Sequence, residues 1–122
     1  LPPGKTLQDK HYVGFFQGDA LIAVMDLILD YPSPGTAMIG FFMVDISCQG
    51  RGTGTQIIAQ ALEALAAQGM TKARLAIDEG NPQSCAFWLK NGFGLTGERI
   101  SNDIAAYLPM ERPLRHGANE PN

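Results

Sequence analysis

A glycine-rich loop between an apolar segment and a helix-like segment constrains the fold of this chain more than any other feature. The sequence SCQGRGTGTQII at residues 47–58 places Gly50, Gly52 and Gly54 just before an apolar stretch that starts at Ile57. The first residues of a helix present unpaired N–H groups and a positive dipole end, and glycines let an oxygen atom approach the backbone closely. The loop is therefore typical of a strand-to-helix junction that binds an anion such as a diphosphate.

The apolar pattern before the loop predicts three strands. Residues 11–19 and 20–31 are largely apolar and meet at the turn pair Gly18-Asp19, which indicates an antiparallel hairpin with a long, buried second strand. Residues 36–45 are nearly all apolar and predict a strand in the centre of the sheet.

The pattern after the loop predicts two helices and further strands. Apolar residues at helical spacing over 57–66 predict a helix that ends at Gly69. Residues 72–79 alternate as a strand does, and residues 81–92 begin with Asn-Pro, which favours the start of a short second helix. Residues 94–114 predict a closing hairpin. The fold class expected from this order is α+β, with a mixed, mostly antiparallel central sheet and flanking helices.

Composition predicts one domain over residues 1–122, with a flexible tail at residues 113–122. The chain has 45% hydrophobic and 17% charged residues, as soluble globular proteins do. Its formal charge is -3 and no Lys/Arg cluster is present, so we expect no nucleic-acid partner. Cys48 and Cys85 lack metal-ligand spacing, and nothing resembles a signal peptide or a membrane span. We therefore expect a reduced, cytoplasmic protein without a metal site or a membrane partner.

Two nucleotide-binding motifs fit the loop poorly. A P-loop is excluded because GRGTGT lacks the Gly-Lys-Ser/Thr ending and therefore the lysine that reaches the outer phosphates. A dinucleotide-binding turn matches Gly50 and Gly52 and finds an acid at Asp78 or Glu79, but Thr55 occupies the position of its third glycine. The strands before the loop also form hairpins, not βαβ repeats, which disfavours this second motif.

Two motifs together resemble a known family. Residues 49–54 have the form Gln-x-x-Gly-x-Gly, which is similar to the acyl-CoA pyrophosphate signature of the GCN5-related N-acetyltransferase (GNAT) superfamily. Residues 81–93, NPQSCAFWLKNGF, resemble the later motif of that family, in which an asparagine opens a short helix that ends in an aromatic residue, a lysine and Gly-Phe. With the elements around them, the resemblance covers roughly residues 11–112.

The resemblance implies a site for acetyl-CoA. The strand that ends at Val44 would splay from the strand that ends near Glu79, and the pantetheine arm would lie in the cleft between them. Backbone amides of the glycine loop would hold the pyrophosphate, with Arg51 reaching outward toward a phosphate. The cofactor-binding residues implied are Met43, Val44, Gln49, Gly50, Arg51, Gly52, Thr53, Gly54, Thr55, Asn81, Phe87 and Lys90.

The activity implied is transfer of an acetyl group from acetyl-CoA to a primary amine, by direct attack in a ternary complex. The amine would belong to a small molecule or a protein. Two departures from the family pattern leave a non-catalytic acyl-CoA-binding or regulatory domain as the alternative. Trp88 stands where members often place a proton-donating tyrosine, and residues 37–44 lack the carboxylate that many members use as a base. Aromatic spacing also predicts that Trp88 packs in the core.

A base is needed because an alkyl amine with a pKa near 10.4 is mostly an ammonium ion at neutral pH. The carboxylates near the expected cleft are Asp45, Asp78 and Glu79, and we favour Asp78 or Glu79 because burial at a strand end raises a carboxylate pKa toward that of a working base. Asp26 and Asp30 on the long strand have two interpretations: they attract a cationic amine, or they form a solvated edge.

The start of the chain differs from the family pattern. The family fold begins with a strand and one or two helices that shape the acceptor pocket, whereas LPPGKTLQDK at residues 1–10 leads almost directly into the first hairpin. Either a preceding segment supplies these elements, or a second subunit completes the pocket. The second explanation predicts a homodimer that covers the apolar face of the sheet.

Overall fold

Residues 10–115 are described by a computed structural model, and in this range the chain forms seven strands and two helices. The elements are β1 (Lys10–Gln17), β2 (Ala20–Leu29), β3 (Thr36–Val44), α1 (Thr53–Ala67), β4 (Lys72–Asp78), α2 (Pro82–Lys90), β5 (Gly94–Leu95), β6 (Ile100–Ser101) and β7 (Ala106–Pro113). A single 3-10 turn (Ile46–Cys48) lies between β3 and the glycine loop. The α+β class predicted from the sequence is confirmed.

The sheet has the order β1-β2-β3-β4-β7-β5, with β6 also pairing with β7. The predicted hairpin of β1 and β2 is confirmed, and β3 is central. Among the described strands only β3 and β4 pair in parallel, because α1 crosses over between them. Their pairing ends after residues 36–38 meet residues 72–74, so the two strands separate toward their carboxyl ends.

Both helices pack against one face of the sheet. The buried residues of α1 include Ile58 and Leu62, and they share one apolar cluster with alternate residues of β2 and β4 such as Met25 and Leu75. Trp88 from α2 belongs to the same cluster and is buried, so its predicted place in the core is confirmed. The cluster fixes both helices relative to the separating ends of β3 and β4.

The opposite face of the sheet carries exposed apolar side chains. Because strand residues alternate between faces, the neighbours of core residues point away from the helices. Exposed side chains there include Tyr12, Phe16, Phe41, Met43 and Tyr107. We call this surface the helix-free face. Its apolar character agrees with the expectation from the sequence, while the homodimer that would cover it stays a prediction.

Two acidic residues of the long hairpin have unexpected environments. Asp26 is only 2% exposed and pairs with Lys10, whose Nζ lies 2.9 Å from Asp26 Oδ2. The interpretation of Asp26 as a solvated edge residue is therefore wrong. Asp30 has a φ of 55° and accepts a hydrogen bond from the Gly35 N–H at 2.8 Å, so it shapes the turn between β2 and β3.

The first residues of the predicted tail belong to the sheet region. Pro113 is the last residue of β7, and the Leu114 N–H donates to the Thr71 carbonyl at 2.8 Å, so the sheet holds both residues. Residues 116–122 of the predicted tail lie outside the described residues, as do residues 1–9. Between residues 10 and 115, neither helix is long and apolar enough to cross a membrane.

A substitution at the end of α1 tests how much the backbone conformation of one glycine contributes to the free energy of unfolding. Gly69 has a φ of 97°, and its N–H and that of Met70 close the helix on Ala66 and Leu65. A methyl group at Gly69 would meet no atom within 4 Å, and the same is true of Gly94, whose φ is not positive. We expect Gly69→Ala to lower the free energy of unfolding by about 1 kcal/mol through backbone strain alone.

Gly94→Ala is the matched control, and we expect it to change the free energy of unfolding by less than about 0.5 kcal/mol. Urea denaturation followed by circular dichroism measures both values. Equal effects of the two substitutions would contradict the assignment of the cost to the positive φ of Gly69.

Candidate functional site

A cavity of about 470 Å³ opens between the end of β3, the start of α1 and the side of α2. The glycine loop forms one wall and an aromatic side chain of α2 forms another. The lining residues are Phe42, Val44, Gln49, Gly50, Gly52, Thr53, Gly54, Thr55, Phe87 and Lys90. Apart from Phe42, all of them are among the cofactor-binding residues predicted from the sequence, so the fold brings both motifs to one place.

The start of α1 leaves backbone donors at this cavity. Gly52 is the N-cap, with a φ of 75°, and no side chain caps the helix. The N–H groups of the first turn, Thr53 to Thr55, therefore have no partner within the helix. The first turn also contains no acidic residue, so nothing there offsets the positive end of the helix dipole. This geometry suits a phosphate group.

Hydrogen bonds fix the path of the chain from β3 into the loop. Asp45 accepts hydrogen bonds from the backbone N–H and the hydroxyl of Ser47, and these bonds hold the pKa of the Asp45 carboxyl below its usual value. Gln49 folds back so that its Nε2 donates to the Val44 carbonyl at 2.9 Å. The glutamine of the first motif thus closes the loop, and Asp45 is a poor candidate for a base.

The backbone of Val44 faces the gap between β3 and β4. The Asp45 N–H donates to the Ile22 carbonyl on β2 at 2.7 Å. Because hydrogen-bonded and non-hydrogen-bonded pairs alternate in an antiparallel ladder, the N–H and carbonyl of Val44 point away from β2, toward β4. Since β4 has already separated there, the Val44 N–H is available to a ligand.

Aromatic rings build the wall opposite the loop. A Cβ on Gly54 would lie 3.3 Å from the Phe87 ring, so glycine lets α1 approach α2 closely. Phe42 stacks on Phe87 with ring centroids 6.3 Å apart. Phe42 was not among the residues predicted from the sequence, although its spacing of two from Val44 on the same strand indicates that both side chains share one face.

A buried amide ties the two helices together at the cavity. Asn91 follows α2, and its Nδ2 donates to the Phe87 carbonyl at 2.8 Å and to Thr55 Oγ1 at 3.4 Å. Arg112 on β7 donates to the Asn91 carbonyl at 2.7 Å. The sequence predicted only a helix end here. The observed network sets the start of α1, the end of α2 and β7 in one fixed arrangement.

Three predicted cofactor residues do not line the cavity. Met43 is 63% exposed, and its side chain lies on the helix-free face. Asn81 caps α2 by accepting a hydrogen bond from the Ser84 N–H at 3.0 Å. Arg51 is exposed in the loop. Their contacts with a cofactor stay predictions, and for Met43 the alternation of the ladder directs its backbone polar groups to β2.

A second cavity of about 220 Å³ lies where β3 and β4 separate. Its lining reaches from Trp88 on the helix side to Phe41 and Asp78 on the helix-free side. Because Phe42 lines both cavities, this opening adjoins the first one. A long ligand with its anionic part at α1 therefore has room to continue between the two strands.

The environments of the two favoured carboxylates differ from those expected. Both Asp78 and Glu79 are exposed, so the burial expected at this strand end is not found. Arg99 donates to both oxygens of Glu79, at 2.7 and 2.9 Å, and this hydrogen bonding lowers the pKa of the Glu79 carboxyl. Asp78 Oδ1 accepts a hydrogen bond from the Gly80 N–H at 2.9 Å.

Solved structures share this fold. An IAA acetyltransferase from Bacillus cereus is 22% identical, with a TM-score of 0.71 over 88% of this chain and 79% of that one. A Bacillus subtilis acetyltransferase in complex with CoA is 20% identical, with a TM-score of 0.73 and the same coverage of both chains. The PaiA N-acetyltransferase from Thermoplasma acidophilum, in complex with coenzyme A, is 20% identical, with a TM-score of 0.67 over 86% of this chain and 61% of that one.

Sequence comparison gives the family. Among curated proteins no significant match to the chain is found. The family model described as Acetyltransferase (GNAT) family matches residues 4–93, which include the glycine loop and the second motif. Because this match spans more than half of the sequence, the chain belongs to the GNAT acetyltransferase family.

Proposed function

We propose that the protein transfers an acetyl group from acetyl-CoA to a primary amine by direct attack within a ternary complex. Membership of the GNAT family supports acyl transfer from an acyl-CoA in general. The observation that carries the proposal is the cavity at the start of α1, which unites both sequence motifs around unpaired backbone donors. No covalent acetyl-enzyme is required, because the two substrates react where β3 and β4 separate.

In this proposal the cofactor lies along the two adjoining cavities. The N–H groups of Thr53 to Thr55 bind the pyrophosphate, and Lys90 adds a positive charge at the cavity wall. The pantetheine arm passes Phe42 and Phe87 and bonds to the backbone of Val44. The thioester then reaches the opening between β3 and β4, near Asp78.

The reaction proposed there removes two protons from the acceptor nitrogen and exchanges one bond. The acceptor ammonium loses its first proton to the base, and the amine nitrogen attacks the thioester carbonyl carbon. The C–S bond then breaks, the nitrogen loses its second proton as the amide forms, and the CoA thiolate takes up a proton. Two contributions to the rate need no acidic side chain. One is the positioning of the two substrates, and the other is a hydrogen bond to the thioester carbonyl oxygen from a backbone N–H such as that of Val44.

The candidates for the base are Asp78 and Glu79, and their environments favour Asp78. Glu79 is held by Arg99 at both oxygens, which leaves it little capacity to accept a proton from an amine. Asp78 lines the opening between the strands and has one oxygen engaged by a backbone N–H. The buried indole of Trp88 supplies no acid for the thiolate, so water is the proton donor in this scheme.

A non-catalytic acyl-CoA-binding domain is the second candidate function. The observation that favours it is that the two carboxylates at this strand end, Asp78 and Glu79, are both exposed and not buried. Both candidates share the cofactor cavity, so binding of CoA does not separate them. Release of CoA thiol in the presence of an amine does.

Charge at the first helical residue tests the cofactor site. Thr53→Glu should weaken the binding of CoA by about tenfold or more, because a carboxylate beside the pyrophosphate repels and blocks it. The substitution should not weaken the fold, since a negative charge at a helix start is favourable. Calorimetric titration of CoA measures the affinity, and the thermal midpoint reports the fold.

Gln56→Glu is the matched control, because Gln56 is exposed in the same turn and does not line the cavity. It changes the charge equally and should leave CoA affinity within about twofold of the wild-type value. Equal loss of affinity in both variants would show that overall charge matters and not the cavity.

Substitution of each carboxylate tests the base. We expect Asp78→Asn to lower kcat/KM by roughly 100-fold or more, as loss of a general base does, with the affinity for CoA unchanged. Glu79→Gln should lower it far less, because Glu79 already pairs with Arg99. Initial rates of thiol release over a pH series measure both effects. Unchanged rates in both variants would contradict a carboxylate base at this strand end.

The pairing of Glu79 predicts a change in its titration. Arg99→Gln removes the hydrogen bonds that lower the pKa of Glu79, so this pKa should rise toward its usual value of about 4.3. In the wild type, the stability that the pair contributes is present above that value and is lost as the pH falls through the folded-state pKa. Carbon NMR titration measures the shift. Glu98, whose pKa Arg74 lowers, serves as an internal control that should not change.

A further inference from the structure

The leaving group of the proposed reaction is a thiolate, whose negative charge develops as the C–S bond breaks. A donor that already stands at the sulfur stabilises this charge better than water does, because it needs no reorganisation at that moment. The sulfur joins the pantetheine arm to the acetyl group, so on the proposed path it lies just past Phe42, which lines both cavities. The donor is therefore expected in the lining of the opening between β3 and β4.

Few side chains in that lining can donate a hydrogen bond. β3 contributes apolar side chains and Gly40, which bulges out of the ladder where the register with β2 shifts. β4 contributes apolar side chains and Asp78, whose carboxylate accepts hydrogen bonds and does not donate them. Among the described residues of this lining, only Ser84 and Trp88 of α2 carry a side-chain donor.

Ser84 lies one helical turn before Trp88, on the same face of α2. Residues four apart on a helix are neighbours, and both of these line the opening. The Trp88 ring is buried and meets Phe87 and Phe93 edge to face, so the core holds this face of the helix toward the gap. The indole N–H is a donor without a usable acid, so Ser84 is the side chain that can both donate a hydrogen bond and pass on a proton.

The hydroxyl of Ser84 is available to a ligand, while its backbone is fixed. The Ser84 N–H donates to Asn81 Oδ1 at 3.0 Å, and this cap holds the residue in the first turn of α2. Between residues 10 and 115 the hydroxyl itself has no hydrogen-bond partner, and the residue is partly buried. Because a hydroxyl rotates to suit its partner, it can direct its proton to an atom in the opening.

We propose that the Ser84 hydroxyl donates a hydrogen bond to the sulfur of CoA and passes it the proton that the thiolate takes up. This inference rests on the proposed acetyl transfer and assigns the residue that assists its leaving group. As the C–S bond breaks, its electron pair stays on sulfur, the proton of Oγ moves to sulfur, and a solvent water returns a proton to Oγ. The resulting hydroxide takes the second proton that the nitrogen releases, so the serine ends unchanged.

The two proton transfers then take place on different sides of the gap. Ser84 belongs to α2 and lies on the helix side, from which the pantetheine arm enters. Asp78 alternates with core residues of β4 and therefore lies on the helix-free side. The base thus meets the amine on one side while the serine meets the sulfur on the other, and neither group has to serve both.

Binding of CoA tests the hydrogen bond without any acceptor. Between a pH of about 7 and about 10, the range in which a thiol ionises, we expect the ratio of CoA affinity to acetyl-CoA affinity to rise about tenfold more in the wild type than in Ser84→Ala. The reason is that a donor at the sulfur favours the thiolate over the thiol. Acetyl-CoA is the matched ligand because it has no ionisable sulfur. Ser84→Thr keeps the hydroxyl and should behave as the wild type does, and calorimetric titration measures all of these affinities.

Initial rates test whether the hydrogen bond serves the reaction. With acetyl-CoA as donor and hexylamine as acceptor, Ser84→Ala should lower kcat by about tenfold or more, as loss of a preorganised donor does, with little change in the KM for acetyl-CoA. Ser84→Thr should restore most of the rate. Gln83→Ala is the matched control, because Gln83 is exposed in the same turn and lines neither cavity. Alanine favours a helix, so the thermal midpoint of Ser84→Ala should not fall.

Three outcomes overturn the inference. An affinity ratio that responds to pH equally in the wild type and in Ser84→Ala removes the hydrogen bond to sulfur, although acetyl transfer itself then stands. Equal kcat in these two proteins removes the role of Ser84 in the reaction. A folded protein that binds neither CoA nor acetyl-CoA loses the cofactor site, and the proposed function fails with the inference. Where the wild type does not acetylate hexylamine, the CoA titration decides alone.

Discussion

The parallel pairing of β3 with β4, which ends after residues 36–38, is the constraint on which the rest of the site depends. The crossover through α1 makes the two strands parallel, and the helix start then stands beside the point where they separate. Beyond that point the carbonyl of Val44 accepts a hydrogen bond from Gln49, and among residues 10–115 the Val44 N–H has no strand partner. The lost ladder hydrogen bonds thus become the binding capacity of the cleft.

A gap between two strands stays open only where packing holds the strands apart. Several contacts hold the gap between β3 and β4 open. Phe42 and Phe87 stack across the cavity, and Trp88 meets Phe93 edge to face with centroids 5.1 Å apart. Asn91 links α2 to the first turn of α1 and, through its carbonyl, to Arg112 on β7. Since these contacts involve elements on both sides of the gap, the cleft is fixed before any ligand arrives.

The sequence predicted the elements well and the environments of the charged residues poorly. Period-two and helical patterns, with the helix-end signals at Gly69 and Asn81, depend on local physics, so the strands, both helices and the buried Trp88 were confirmed. The environment of each carboxylate depends on a residue distant in sequence. Arg99 pairs with Glu79, and Lys10 pairs with the buried Asp26. Nothing local to a carboxylate encodes that partner, and the bulge at Gly40 is equally a property of two strands together.

The division of charge between the two faces of the sheet favours direct transfer. On the helix side, the donors at the cofactor cavity are backbone N–H groups of α1 together with Lys90, and they suit an anion. On the helix-free side, Asp78 lines the opening and suits a cation. In the proposed reaction, an acyl donor and an amine approach the gap from opposite sides, each toward charge of the opposite sign. The two substrates of this proposal meet in the gap, so the proposed transfer needs no nucleophile from the protein.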